Sequence, residues 1–506
     1  MAERQFVMPQ PSEPSSSMIR SLTPGEATVL CGGIVAGVVV AIVVAGITGG
    51  TSFATVAAGV AVAAVGVWFV KAPYKGRTRY RWWEAERSHK RASGAAWWSR
   101  AAERGFTGDG NAREDSAPPG IGRVSWSTIT TSRGDAAMLH QVDERVFTVV
   151  VEVAGERTFA ASDTDEQVSR IDGFAAMLTE LGGKVDETLV RRIAWVSRVT
   201  PEDPYAHERF VAEVTDPNVD AKWRDSYSDV DDLLRGAGES HHCWLAVSVD
   251  AGSELAKRAN RFAGGGGIGT KRVVADALEA VIRVVEGTAG LTVLGALDEA
   301  RLARLIHTSY DPRCRLEDLA GMTRATAWPA LVDASAWDYV LARSRSERDS
   351  VMLATAWVSG WPRTRVGINF MAPLLVLAST TLPRTTVVVM ELEPTMAAYQ
   401  RTQEERTEHI GASQTKSAGG AIDDPMSAVD GNQMTDVAGD LARGAAGVAL
   451  SGWVTVAGVD ADDLDTSKAA VSSAAANSRG MTLEWADGEQ YRALANTLPF
   501  CRGLDQ

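Results

Sequence analysis

The chain holds 506 residues, 45% of them hydrophobic and 23% charged, with 51 basic side chains against 64 acidic ones and a net charge of −13. That apolar content excludes a collagenous or wholly disordered chain. Four scattered cysteines, Cys31, Cys243, Cys314 and Cys501, with no C-x-x-C pair, exclude a disulfide scaffold and a zinc ribbon and place the large domains in a reducing compartment.

Residues 1–25 read as a disordered tail. From position 27 to position 70 no Asp, Glu, Lys, Arg or His occurs, and a membrane-spanning helix needs only about 20 such residues. The stretch therefore predicts two spans, about 27–47 and 53–70, turned at Thr48-Gly49-Gly50-Thr51-Ser52, where small polar residues and paired glycines suit a tight reversal. A cleaved signal peptide fits less well, because a second apolar run and a basic segment follow the first. Gly33 and Gly37 give α-helix 27–47 a small-xxx-small face for packing against the second span.

Residues 71–104 carry ten Lys or Arg against three acids. By the positive-inside rule this segment is cytoplasmic, so a two-span hairpin puts both termini in the cytoplasm of a multi-pass cell-membrane protein. Lys71, Tyr74, Lys75, Arg77, Arg79, Trp82, Trp83, Trp97 and Trp98 combine rings with basic heads, the pairing that suits the headgroup layer of membrane lipid. Stacking of single-stranded nucleic acid on the tryptophans is the rival reading. Direct nucleic-acid binding is not expected, because residues 105–506 sum to −19. Residues 71–125 are read as this basic segment and a linker through Gly108-Asp109-Gly110 and Pro118-Pro119-Gly120.

Beyond the linker, apolar periodicity predicts strands at 144–154, 191–199, 243–249 and 291–297, separated by helices at 163–182, 204–222 and 267–288. A second set follows, with strands at 337–345, 351–359, 384–393 and 447–458 and helices at 368–379, 394–416, 426–444, 461–478 and 487–497. The fold class is α+β: a transmembrane helical hairpin followed by two mixed α/β cytosolic subdomains, 126–320 and 321–506.

No local signature of catalysis or of a cofactor stands out. The run from Gly264 to Lys271 has Thr before Lys and Arg272 where a Walker loop needs its magnesium-binding hydroxyl, so a loop ending in a Thr cap is expected there. His241-His242-Cys243 has no second cluster at ligand spacing. Asp460, Asp462, Asp463 and Asp465 lack the glycine of a calcium loop and suit a helix N-terminus instead. We expect no catalytic, cofactor-binding or metal residues.

Several short blocks resemble the region that precedes the motor domain in the VirB-type ATPases of conjugative type IV secretion systems. They are Trp361-Pro362, Leu374-Leu375, the run Pro383 to Val389, Ala442 to Gly447 leading into Ser451 to Val456, Gly488-Glu489-Gln490, and Thr497 to Leu504. The N-terminal hairpin is similar to the PrgI-like two-span subunit that accompanies such ATPases. The whole resembles an actinobacterial conjugation-associated family in which the two are fused. In that family the motor would begin soon after Thr497-Leu498-Pro499, and Gln506 follows too closely to accommodate it. The resemblance therefore implies a non-catalytic, membrane-anchored scaffold that docks a conjugation-type motor ATPase in trans and contacts other apparatus subunits and copies of itself. A type VII secretion membrane component and an envelope enzyme with a dispersed site are the alternatives.

Overall fold

The computed structural model describes residues 24–48, 53–74, 77–92, 97–99, 117–155, 164–201, 239–262, 265–314, 321–344, 350–362, 366–367, 369–377, 382–418 and 425–503, with short pieces between 211 and 227. The expected tail up to residue 23, the turn at 49–52, most of the 204–222 helix and Lys75 lie outside the described residues.

Two apolar helices open the chain, α1 (Pro24–Thr48) and α2 (Phe53–Lys71). They run antiparallel in close contact. A Cβ on Gly33 would stand 3.3 Å from the Cα of Gly66, and one on Gly37 would stand 2.5 Å from the carbonyl of Gly59. Only missing side chains permit that approach, the small-residue solution to packing where apolar surroundings supply no hydrophobic drive. A two-residue hairpin, β1 (Pro73–Tyr74) and β2 (Arg77–Thr78), turns the chain into α3 (Arg79–Ala92), which is followed by β3 (Trp97–Ser99).

The body consists of β4 (Val124–Thr131), β5 (Gly134–Gln141), β6 (Val146–Gly155), α4 (Thr164–Gly183), α5 (Val185–Thr188), β7 (Val190–Pro201), β8 (Glu239–Asp250), α6 (Ser253–Ala259), α7 (Gly266–Gly287), β9 (Leu291–Ala296) and α8 (Glu299–Tyr310). There follow β10 (Leu331–Asp333), β11 (Val340–Arg343), β12 (Ser350–Gly360), α9 (Ala372–Leu375), β13 (Arg384–Glu393), α10 (Thr395–Ala418), α11 (Pro425–Ala442), β14 (Gly447–Gly458), α12 (Ala461–Asn477), β15 (Thr482–Trp485) and α13 (Gln490–Thr497). The mixed helix and sheet content is that of an α+β protein.

The two expected subdomains are not separate bodies. A single 13-stranded sheet runs through both, in the order β3-β10-β11-β12-β14-β13-β7-β8-β6-β5-β4, with β15 added to β12 and β9 added to β6. That order is a duplication. The strands β4–β9 and β10–β15 repeat one topology, and their registers superpose: Trp244 lies between Glu152 and Val196 on its neighbours, as Trp453 lies between Trp357 and Val387. The Val150 carbonyl accepts from the Leu297 N–H, as the Thr355 carbonyl accepts from Ala486. At the centre Val196 pairs with Val387, its own counterpart, so a pseudo-twofold axis passes through that pair of fully buried residues. The division near residues 310–335 thus separates repeats and does not separate cores.

Alternation along the strands covers both faces. On β8, Trp244 and Ala246 enter a core formed with α8 and α13, whereas Leu245, Val247 and Val249 enter a second core under α4, α6 and α7. A third core joins β12 and β14 to α12 through Val454, Val456, Leu464 and Val471. The first of these spans both repeats. The C-terminal residues finish it: Phe500 is fully buried, its carbonyl accepts from Gln141 Nε2 at 2.7 Å, and Arg502 donates to the carbonyls of Gly120 (3.1 Å) and Ile121 (2.6 Å).

Besides Arg502, the arginines Arg384 and Arg198 are buried among the described residues of the body. Arg384 is clamped by Glu239 (2.9 and 3.1 Å) and donates to the carbonyls of Leu382 and Leu375, holding β13, β8 and the end of α9 together. Arg198 is fully buried, donates to the hydroxyls of Thr308 and Ser309 on α8, and is pushed down to about 9 by burial.

Candidate membrane-anchoring region

The outer surface of α1 is apolar and uncovered. Its stretch Thr28–Ile47 has a mean hydropathy of 2.7 and is long and apolar enough to cross a membrane. Val35, Val38, Val39, Ile42, Val43 and Ile47 are all more than half exposed. Val56–Lys71 of α2 is a shorter apolar helix whose Val56, Val60, Val65 and Trp68 also face outward.

The base of this hairpin is a ring of aromatic and charged groups. The guanidinium of Arg79 lies 4.3 Å above the Trp68 ring, and that of Arg87 lies 5.1 Å from the Trp83 ring, both at cation–π distance. Tyr80 is buried against Phe69 and Trp83, with centroids 6.3 and 5.9 Å away, and burial pushes its phenol above the ordinary value. Arg81 reaches the buried Glu26 at 3.5 Å, which ties α3 to the first turn of α1, where an acid also meets the positive end of the helix.

The expected interface residues divide into two groups. Lys71 and Trp83 are exposed at the hairpin base, with Arg79 half-buried beside them. Tyr74 and Arg77 oppose each other across β1 and β2. Trp82 and Trp98 face the body instead. The Trp82 ring stands 5.1 Å from Trp337, which His89 also meets at 5.2 Å, and Trp98 is only 8% exposed within the sheet core. Periodicity explains the correction: neighbours on a helix point about 100° apart, so Trp82 cannot share the outlook of Trp83. Trp97 and Trp98 belong to β3, which adds antiparallel to β10 with Trp98 opposite Val332.

These contacts fasten the hairpin to the body twice, through the Trp82–Trp337–His89 cluster and through the β3–β10 ladder. Gly488 makes room for the first, since a Cβ there would stand 2.8 Å from the Trp337 ring and its φ is +83°. Trp337, His89 and Glu26 carried no signal as anchor residues in the sequence, because each gains its role from an element distant along the chain.

The remaining motifs lie elsewhere in the fold. The glycine run lies at the start of α7, and the expected Thr cap is absent: Gly265, at φ +50°, is the N-cap, and the Thr270 hydroxyl donates to the Gly266 carbonyl inside the helix. Gly269 lies against α6, where a Cβ would stand 2.0 Å from the Ala259 carbonyl. His242 stacks on Trp244 at 5.6 Å, and burial pushes the Cys243 thiol up. Asp460 caps α12 by accepting from the Asp463 N–H at 2.9 Å. Among the described residues no three His, Cys, Asp or Glu side chains converge as a metal site. A recess of about 290 Å³ between α4, α5 and α7 is lined by Glu180, Lys184, Glu187, Asp276 and Arg283, charges of both signs. Comparison with known protein families finds no family model that matches the chain, and comparison with curated proteins finds no match.

Proposed function

We propose that this chain is a membrane-anchored, non-catalytic scaffold subunit of a conjugative, type IV-like secretion apparatus, which docks a separate motor ATPase at the cytoplasmic face. The observation that carries the anchor is the uncovered apolar surface of the α1–α2 pair above a ring of cationic and aromatic groups. In this reading both helices span. The 19 residues of α2 reach about 28 Å, close to the thickness of the hydrocarbon core. Lys71, Arg77, Arg79 and Arg87 then lie on the cytoplasmic side, and both termini are cytoplasmic.

The resemblance to secretion ATPases supports the partner. Its blocks fall on the frame of the second repeat: Trp361 in the core beneath β12, Arg384 to Val389 on β13 at the pseudo-twofold axis, and Thr497 to Gly503 along the C-terminal strap. A body held by two fastenings transmits force between bilayer and partner. Reporter fusions at residues 20 and 110 should both read as cytoplasmic, and the chain should resist carbonate extraction from membranes. Affinity capture of the native membrane complex should recover a conjugation-type ATPase. Recovery of an FtsK-like ATPase in its place would overturn the assignment in favour of type VII secretion.

A further inference from the structure

The two repeats part company beyond β8. Trp453 follows its counterpart Trp244 by 209 positions, but Ala486 follows Leu297 by only 189, so the first repeat holds 20 residues between β8 and β9 that the second lacks between β14 and β15. The surplus is α6 and the turn into α7, whereas α12 starts almost directly after β14. From Leu255 to Ala275 this region holds Lys257, Arg258, Arg261, Lys271 and Arg272 and no acid, in a chain of net charge −13.

The acids that border the inserted rim are already paired. Asp250 meets Arg191 at 3.5 Å, Glu254 meets Lys257 and Arg258, and Asp276 meets Arg272 at 3.2 Å. Arg258 also donates to the backbone carbonyls of Asp186 and Glu187 on α5. Arg261 and Lys271 are exposed, and among the described residues no carboxylate pairs with either. Apolar surface lies between these cations: Ile268, one turn before Lys271 on α7, is 66% exposed, and Phe262 is 39% exposed.

The corresponding rim of the second repeat has the opposite charge. Between Arg443 and Lys468 the charged residues are Asp460, Asp462, Asp463 and Asp465, all four exposed, beside Val459 at 56% exposure. Asp460 and Asp463 accept from backbone N–H groups at the start of α12, and no cation among the described residues pairs with any of the four. β8 and β14 run antiparallel across β7 and β13, so the two rims stand at opposite edges of the sheet and one copy cannot close them on itself.

We infer that the inserted basic rim of one copy docks on the acidic rim of a second copy. Arg261 and Lys271 face Asp462 and Asp465, with Ile268 and Val459 as the apolar centre, and the opposite potentials steer the encounter and exclude like rims. The joint is heterologous, head to tail. It rests on the two rims alone and needs neither the secretion reading nor the anchor; its closure into a ring rests on the anchoring reading, since copies inserted alike share a symmetry axis along the membrane normal.

The test uses the full-length chain in detergent, with two differently tagged copies co-expressed, one tag captured and the other quantified. R261E/K271E in both copies should lower the co-captured fraction by about tenfold or more, and so should D462K/D465K in both, because each sets like charges face to face. Asp460 and Asp463 are left in place to keep the start of α12, and far-UV circular dichroism should be unchanged. Mixing one R261E/K271E copy with one D462K/D465K copy should restore capture, as should all four substitutions in one chain, and added salt should weaken the wild-type contact. The inference is overturned if either folded pair variant is captured as wild type, or if neither the mixture nor the fourfold variant recovers. It is also overturned if R261E/K271E alone lowers capture and the loss is one of binding to vesicles of anionic lipid, which would make the rim a lipid surface. Carbonate extraction of the same membranes reports separately on the anchor.

Discussion

Replacing Arg384 by Met tests how the two repeats are held at their seam. The side chains of Arg384 and Glu239 are 1% and 11% exposed, and the guanidinium meets both carboxylate oxygens, so the substitution leaves a nearly dry carboxylate without its fork-shaped partner. The His241 ring also stands beside it, with Nε2 at 3.5 Å. Breaking one side of a buried pair costs about 3–5 kcal/mol, dominated by the stranded charge and not by the lost attraction. For a body this large that corresponds to a fall in melting temperature of roughly 4–6 °C. Adding Glu239→Gln removes the charge and should recover about 1–3 kcal/mol, a coupling that only contacting residues show. Thermal unfolding of the detergent-solubilised chain, followed by tryptophan fluorescence, reads both numbers. A loss below about 1 kcal/mol for Arg384→Met, or a double variant no more stable than the single one, would refute the reasoning that buried charge governs this seam.

Three further outcomes follow from packing. Gly37→Leu forces a side chain into the 2.5 Å approach to the Gly59 carbonyl and should separate α1 from α2, lowering hairpin stability by about 1–3 kcal/mol, read as protease cleavage of the hairpin in detergent. Trp98→Ala empties a buried indole site and should cost about 3–5 kcal/mol, with amide exchange at Leu331–Asp333 accelerating first because β3 leaves β10. Cys501 is fully buried and its thiol is pushed up to about 12, so it should resist N-ethylmaleimide at pH 8 in the native chain and react only after unfolding; rapid native labelling would show that the strap opens.

Elements buried on both faces were the most legible in the sequence. β13 and β14 occupy the expected 384–393 and 447–458, because a strand covered on both sides must be apolar at nearly every position and so stands out as a run. The hairpin β4–β5 was missed: Ser, Thr and Trp at an exposed rim give neither an apolar run nor a strict alternation. The helix expected at 368–379 shrinks to Ala372–Leu375, where Pro373 sets the start. The duplication was hidden because the repeats share a pleat and a register but few side chains. Its marks in the sequence include Trp244 with Trp453, and Pro312-x-Cys314-Arg315 with Pro499-x-Cys501-Arg502. In the anchor region, hydropathy exposed the helices at once, while the inward turn of Trp82 and Trp98 depended on Trp337 and β10, elements more than 200 residues away.

The strap at Phe500–Gly503 imposes an order on biosynthesis. Gln141 and the carbonyls of Gly120 and Ile121 wait for Phe500 and Arg502, which follow 359 to 382 residues later in the chain. The first repeat can form its hairpins during translation, but the face destined for Phe500 stays wet until the strap has been made. The central core therefore cannot close before the strap emerges, and a nonsense codon at or before position 500 would leave that core open.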